Sequence, residues 1–277
     1  MTPGSRRPAI ACGSLILLYL LFSGLSFGAD ASGSNAQQPI IAIIIDDLGH
    51  LRVQGQRAAA LNGPVACAIL PHTAHAALLA QQAHANGKEV LLHLPLQSME
   101  MSQSAGPGQI SLDSSHAQLN ELLQQNIDAI PHIQGINTHM GSLVTRHPGH
   151  MRWLMEAIDD YGNLFFVDSF TTPSSVGFQL ALEQGVPATR RHIFLDNVQN
   201  RKEIDFQFER LLKRARRDGY AVGIGHPYRV TLDYLEDALN SLPAQGVSLV
   251  SVETVIQRQT DSLQQATENL SAKLNSR

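Results

Sequence analysis

Ile40-Ile41-Ala42-Ile43-Ile44-Ile45-Asp46-Asp47-Leu48-Gly49 is the stretch on which the fold turns. Its apolar part is too short and too β-branched for a helix. It also lacks the polar alternation of a strand with one wet face. It therefore predicts a strand buried on both faces, as the strands of parallel sheets are. Two adjacent carboxylates close the run, at the place where an α/β protein keeps its chemistry.

Working outward, similar short runs recur at 65–69, 89–92, 133–137, 164–167, 192–195, 220–224 and 247–250. Helical patterns fall between them, at 74–86, 115–130, 149–161, 176–184, 201–218 and 231–241. The clearest is 201–218, where Ile204, Phe208, Leu211 and Ala215 repeat at helical spacing and Gly219 follows as a stop. Alternating strands and helices imply a parallel sheet with helices outside it. This many strand-like runs favour an α/β fold of the distorted (β/α) barrel kind, with seven to eight strands, over an open sheet.

The chain has 277 residues, 43% of them hydrophobic, and a formal net charge of −4. That length can bury a full core as a single domain. The charge, and the lack of any Lys/Arg stripe, offer nothing for nucleic acid to bind. Arg6 and Arg7, an apolar stretch from Ile10 to Phe27 and the small-residue sequence Ala29-Asp30-Ala31 read as a signal peptide over residues 1–31. Ser26-Phe27-Gly28 is the competing cleavage site. The expected location is periplasmic or extracellular. Cleavage leaves no stable membrane span, whereas an uncleaved stretch approaches the ~20 residues of a membrane anchor. Residues 32–38 read as a linker, 39–256 as the catalytic domain and 257–277 as a polar C-terminal tail, a frayed helix or unstructured. Cys67, among Val65, Ala66, Ala68 and Ile69, reads as a small buried hydrophobe.

In such folds the active site lies at the C-terminal ends of the strands. The polar residues that end the runs are Asp46-Asp47, Pro71-His72, His93, Asn137-Thr138-His139, Asp168-Ser169, Asp196-Asn197 and Gly225-His226-Pro227. Two adjacent carboxylates disfavour joint ionisation unless a positive group sits beside them. A divalent cation resolves this, with one carboxylate binding it and the other serving as base for a water. The competing reading is a solvated turn or a helix N-cap. Asp, His93 and His139 together form a catalytic zinc donor set with an open position. Other divalent first-row metals fit the same donors. His226 is a candidate general acid or a further ligand. Asp168 is a candidate to orient His226, to support the metal ligands or to bind substrate. Asp196 reads as a turn carboxylate. The other histidines, among them His72, His147, His150 and His192, read as surface or loop residues.

In order along the chain, Ile43-Ile44-Ile45-Asp46-Asp47-Leu48-Gly49, His93-Leu94-Pro95-Leu96, Asn137-Thr138-His139-Met140-Gly141-Ser142, Phe166-Val167-Asp168-Ser169 and Ile224-Gly225-His226-Pro227 resemble the divergent polysaccharide deacetylase family, relatives of the NodB-homology carbohydrate esterases. The resemblance spans residues 39–256. It implies a NodB-like distorted barrel, a zinc or similar metal ion and a carbohydrate substrate. Better-known members of the superfamily carry Thr-Phe-Asp-Asp, base first and metal ligand second, which gives Asp46 as base and Asp47 as ligand. Their His-x-x-x-His supplies two ligands; His93 matches the first, but Gln97 holds the second place. Their Arg-Pro-Pro-Tyr-Gly aligns Asn137 with the Arg and Gly141 with the Gly. His139 then falls where a Pro stands, and is inferred to replace the missing ligand. Asn137, Ser142 and Asp168 become candidates to support the metal site or touch substrate. Their Leu-x-His supplies the acid and matches Ile224-Gly225-His226. The superfamily's Arg that tunes the base is absent.

The reaction so implied is deacetylation of an N-acetylated cell-envelope carbohydrate by metal-activated water. The alternative is a non-catalytic metal- or glycan-binding envelope protein on the same fold, which needs neither Asp46 nor His226. Aromatics are only 5% of the chain and Trp153 is its single Trp, which gives little support to a long glycan groove. Nothing in the sequence names a protein partner.

Overall fold

The computed structural model of the chain describes residues 37–100 and 104–275. The expected signal peptide and most of the linker after it lie outside the described residues. Among the described residues, nine strands form one sheet: β1 (Ile40–Leu48), β2 (Ala66–Ile69), β3 (Val90–Leu96), β4 (Ile133–Met140), β5 (Phe165–Asp168), β6 (Ala188–Arg190), β7 (Ile193–Phe194), β8 (Tyr220–Gly225) and β9 (Ser248–Leu249). Every pairing is parallel. The order is β6-β5-β4-β3-β2-β1-β8-β7, with β9 beside the start of β1. This is the distorted barrel expected, curled but left open between β6 and β7.

The connecting helices are α1 (Arg52–Ala60), α2 (Ala76–Ala85), α3 (His116–Asp128), α4 (Pro148–Tyr161), α5 (Gly177–Gln184), α6 (Arg201–Asp218) and α7 (Arg229–Ser241), and α8 (Val252–Asn275) follows the last strand. Local chemistry sets several of their ends. Asn200 caps α6 by accepting from the Glu203 amide at 2.9 Å, and Gly219 closes it at φ 86°, a left-handed conformation glycine adopts freely. Ser115 and Gln118 form a reciprocal capping box at the start of α3.

The isoleucines of β1 explain why that strand is dry on both faces. Ile41, Ile43 and Ile45 face the helices and join the main core with Leu79, Leu92 and Phe208. Ile40, Ala42 and Ile44 face the concave interior, where they meet Val222, Ile224 and the first turns of α8 through Val252, Val255 and Ile256. The side chain of Glu89, buried just before β3, fixes α8 by accepting from the Val252 and Glu253 amides at 2.6 and 3.0 Å.

The structure differs from the sequence expectation in three places. The helix α1 was not anticipated, because Arg52–Ala60 is polar and alanine-rich with little apolar stripe. Neither was β6, whose three residues are too few to show a period. Residues 257–275, expected as a polar tail that is a frayed helix or unstructured, take the helical alternative and continue α8 without a break, and Gln259 is buried against β6.

Candidate metal centre

Successive side chains of a strand point to opposite faces, so Asp46 and Asp47 should diverge. A β-bulge prevents this. Ile45 pairs with Cys67 but Leu48 with Ile69, so one extra residue is inserted in β1. Asp47 takes φ 55°, a left-handed conformation rare for a residue with a side chain. Both carboxylates consequently reach the concave side at the end of β1.

His93 from β3 and His139 from β4 come to the same point. His93 Nε2 lies 3.1 Å and His139 Nδ1 3.0 Å from Asp47 Oδ1, and the two nitrogens are 3.1 Å apart. These three atoms form the one cluster of metal-ligating type found among the described residues, all within 4.8 Å of one another. Asp47 is 34% exposed, yet its Oδ1 is sealed from solvent and receives no hydrogen bond. The short nitrogen distances do not contradict this, because the tautomer of His93 is set from behind. Asn137 Nδ2 donates to Asp46 Oδ1 at 2.7 Å, so its amide oxygen faces His93 Nδ1 at 2.8 Å. His93 therefore carries its proton on Nδ1 and turns the lone pair of Nε2 toward Asp47.

The charges follow from this packing. Burial alone raises the Asp47 carboxyl, but the adjacent imidazoles of His139 and His93 outweigh it and hold Asp47 well below the usual carboxylate range. Asp46 is fully enclosed, and burial raises its carboxyl against the lowering pull of His93 and His226. Burial lowers His93, but the charges of Asp46 and Asp47 raise it further. A cation at the cluster competes with that proton for Nε2.

His226 faces the cluster from the end of β8, its Nε2 3.8 Å from Asp47 Oδ2. Its other face is held by Asp196. Nδ1 lies 2.9 Å from Asp196 Oδ1, while Asp196 Oδ2 accepts from the His226 amide at 2.6 Å and the Thr231 hydroxyl at 2.8 Å. Gly225 leaves room for this, since a Cβ there would sit 3.4 Å from Asp196 Oδ2 and 3.2 Å from Thr231. Burial lowers the imidazole pKa, but the Asp196 bond and the surrounding carboxylates push it up to about 9.

The structure thus brings together Asp46, Asp47, His93, Asn137, His139 and His226. It places two other candidates elsewhere. Asp168 accepts from the Phe170 amide at 2.8 Å, the Ser175 hydroxyl at 2.7 Å and the Phe178 amide at 3.1 Å, so it ties down the start of α5 and not His226. Ser142 accepts from the Met99 amide at 3.0 Å and joins the loops after β3 and β4. Gln97, where the superfamily has its second histidine, accepts from the Leu112 amide at 3.0 Å. Two residues of the site went unrecognised in the sequence. Asp196, read as a turn carboxylate, is the buried partner of His226. Arg191 follows β6 and donates to the carbonyls of Ser169 and Phe170. Among the other histidines, His150 is buried and not at the surface, beside His147 and Trp153.

Comparison with known proteins gives the family and the fold. Residues 43–256 match the family model described as divergent polysaccharide deacetylase. The uncharacterised protein YibQ of Escherichia coli is 32% identical over 216 residues, covering 78% of this chain and 67% of that protein. An uncharacterised protein of Haemophilus influenzae is 34% identical over 215 residues, covering 78% and 76%. Among solved structures, an uncharacterised protein of Agrobacterium tumefaciens superposes with a TM-score of 0.76 at 20% identity, over 80% of this chain and 90% of that one. A lactam utilization protein of Thermus thermophilus gives 0.52 at 14% identity, over 78% and 99%.

Proposed function

This chain belongs to the divergent polysaccharide deacetylase family, and from that premise we propose that it is an exported, metal-dependent hydrolase that deacetylates N-acetylated carbohydrate of the cell envelope. One observation carries the reading: the sealed Asp47 Oδ1, without a donor, 3.0 and 3.1 Å from two imidazole nitrogens. A buried polar atom left unpaired costs free energy, and a cation between the three atoms removes that cost. One carboxylate and two imidazoles are the donors of a catalytic zinc site with an open position, and another first-row divalent metal fits them as well. Bound there, the ion supplies Lewis acidity for a water and for the acetyl carbonyl.

The chain's own residues supply the proton transfers. Asp46 takes the proton of the attacking water. Burial raises its carboxyl above the ordinary carboxylate range, which makes it the stronger base. Asn137 occupies its Oδ1 and leaves Oδ2 for the proton. His226, with its pKa at about 9, is charged at neutral pH and gives the Nε2 proton to the leaving amine. Asp196 holds the ring by Nδ1 and stabilises the charged form. Arg6, Arg7 and the apolar stretch 10–27 support export. Among the described residues no helix is long and apolar enough to cross a membrane.

Elemental analysis of the purified protein beside Asp47→Ala and His93→Ala tests the reading. We expect about one zinc per chain in the wild type and loss of it in both variants, with acetate released from N-acetylated sugars only by the metal-loaded wild type. A wild type that takes no metal, even with zinc supplied at neutral pH, ends the hydrolase reading and gives the lead to the binding module.

A further inference from the structure

One inward-facing residue at the strand ends belongs neither to the metal trio nor to the acid–base pair. Thr189 of β6 faces the concave interior, where its hydroxyl donates to Gln259 at 3.0 Å. Arg191, just past the end of β6, lies close enough to Asp46 for the two charges to act on each other. Its guanidinium is pinned, with Nε donating to the Ser169 carbonyl at 2.6 Å and Nη2 to the Phe170 carbonyl at 2.8 Å. It lies over the Phe194 ring, 4.8 Å from the centroid. Phe194 packs against His226 at 5.3 Å, and Tyr228 lies 5.6 Å from His226. Arg191, Phe194, His226 and Tyr228 therefore follow one another in contact beside the candidate metal trio, with the proposed proton donor among them.

Backbone carbonyls are the only hydrogen-bond acceptors that Arg191 reaches among the described residues, and Nη1 has no partner there. The nearby carboxylates act on its charge but are committed elsewhere, Asp46 to Asn137 and Asp168 to the start of α5. A largely buried cation without a carboxylate is costly. The guanidinium is also the group that grips carboxylate or phosphate with paired donors. We propose that Arg191 anchors an anionic group of the substrate, a carboxylate or a phosphate, so that the pocket selects acidic N-acetylated sugars over neutral ones. This deepens the hydrolase reading of the same pocket and rests on it for the seat of the sugar.

Titration calorimetry of the zinc-supplemented full chain tests the anchor. The probes are N-acetylglucosamine, N-acetylglucosamine 6-phosphate and N-acetylmuramic acid, which are neutral, phosphate-bearing and carboxylate-bearing. The wild type should bind at least one acidic sugar about tenfold more tightly than the neutral one, and the tighter of the two identifies the anion. Arg191→Gln should bring the probes to within about twofold of each other, and Arg191→Lys should keep part of the preference, having the charge without the fork. Equal wild-type affinity for neutral and acidic sugars overturns the proposal. So does the lack of any acidic binding at about 10 mM, or a preference that survives Arg191→Gln. The first two results need no variant, so a misfolded Arg191→Gln does not protect the idea. Acetate release measured in parallel separates the two readings. An Arg191-dependent preference without acetate leaves the anchor and removes the hydrolase, and equal release from acidic and neutral sugars does the reverse.

Discussion

Asp196 holds His226 by its ring Nδ1 and its backbone amide, at 2.9 and 2.6 Å. Burial works against the charged imidazole, and the Asp196 bond is the largest influence in its favour. In the donor role proposed for His226, the charged form is the active one. Activity is then present below its pKa and is lost as pH rises through about 9. Asp196→Asn removes the ion pair and lets an amide select the other tautomer. We expect kcat/KM to fall roughly 100-fold and the basic limb to move to lower pH, with zinc content unchanged. A pH–rate profile of both proteins checks this, and an unmoved limb removes His226 as the donor. Asp46, Asp47, His93, His139 and His226 were legible in the sequence because each ends an apolar run. Asp196 ends a run too, but its value depends on β7 lying beside β8, with Ile193 opposite Gly223 and Phe194 opposite Ile224. That pairing joins segments about thirty residues apart and leaves no local signal. Asp168 was over-read for the opposite reason. It follows Phe166, which faces the helices, and strand parity sends it to that side.

Elements were legible in proportion to their periodicity. The helix α6 buries Ile204, Phe208, Leu211, Leu212 and Ala215 along one stripe, and its expected and observed bounds coincide. In α1 only Gly55, Ala58 and Ala59 are buried, so there was almost no stripe to find. The docking of α8 was invisible for another reason: its first turn is held by Glu89, more than 160 residues earlier in the chain. Glu89 satisfies two amides that a helix start leaves open, and its charge suits that end of the helix dipole. Glu89→Ala strands both amides. It should lower stability by about 1–2 kcal/mol, read as a fall in the urea midpoint. Glu253→Ala, an exposed acidic side chain on the same turn, should stay within about 0.5 kcal/mol of wild type. Equal effects of the two substitutions would mean that Glu89 does not anchor α8.

For the molecule as a whole, the open edge between β6 and β7 poses a problem that a closed barrel does not have. The concave interior beneath the metal centre must be filled from outside the sheet, and the first turns of α8 fill it. Val252, Val255 and Ile256 pack against β1 and β8, and Gln259 bonds to Thr189 and Ala188 in β6. The helix therefore ties β1 and β8 to the edge strand β6, while residues 261–273 are exposed. Two truncations separate these halves. A chain ending at Thr260 keeps every buried residue of α8 and should melt within a few degrees of the full chain. A chain ending at Ser251 uncovers three aliphatic side chains, each worth about 1.5–3 kcal/mol when buried. Their sum is comparable to the ~5–15 kcal/mol that holds a typical domain together, so this chain should lose its cooperative melting transition. The candidate metal trio lies at the opposite end of the strands, and its residues come from β1, β3 and β4. If the shorter chain still melts cooperatively and binds zinc, the curled sheet is self-sufficient and α8 is an appendage. If it loses both together, the interior that α8 fills is what holds Asp47, His93 and His139 at one point.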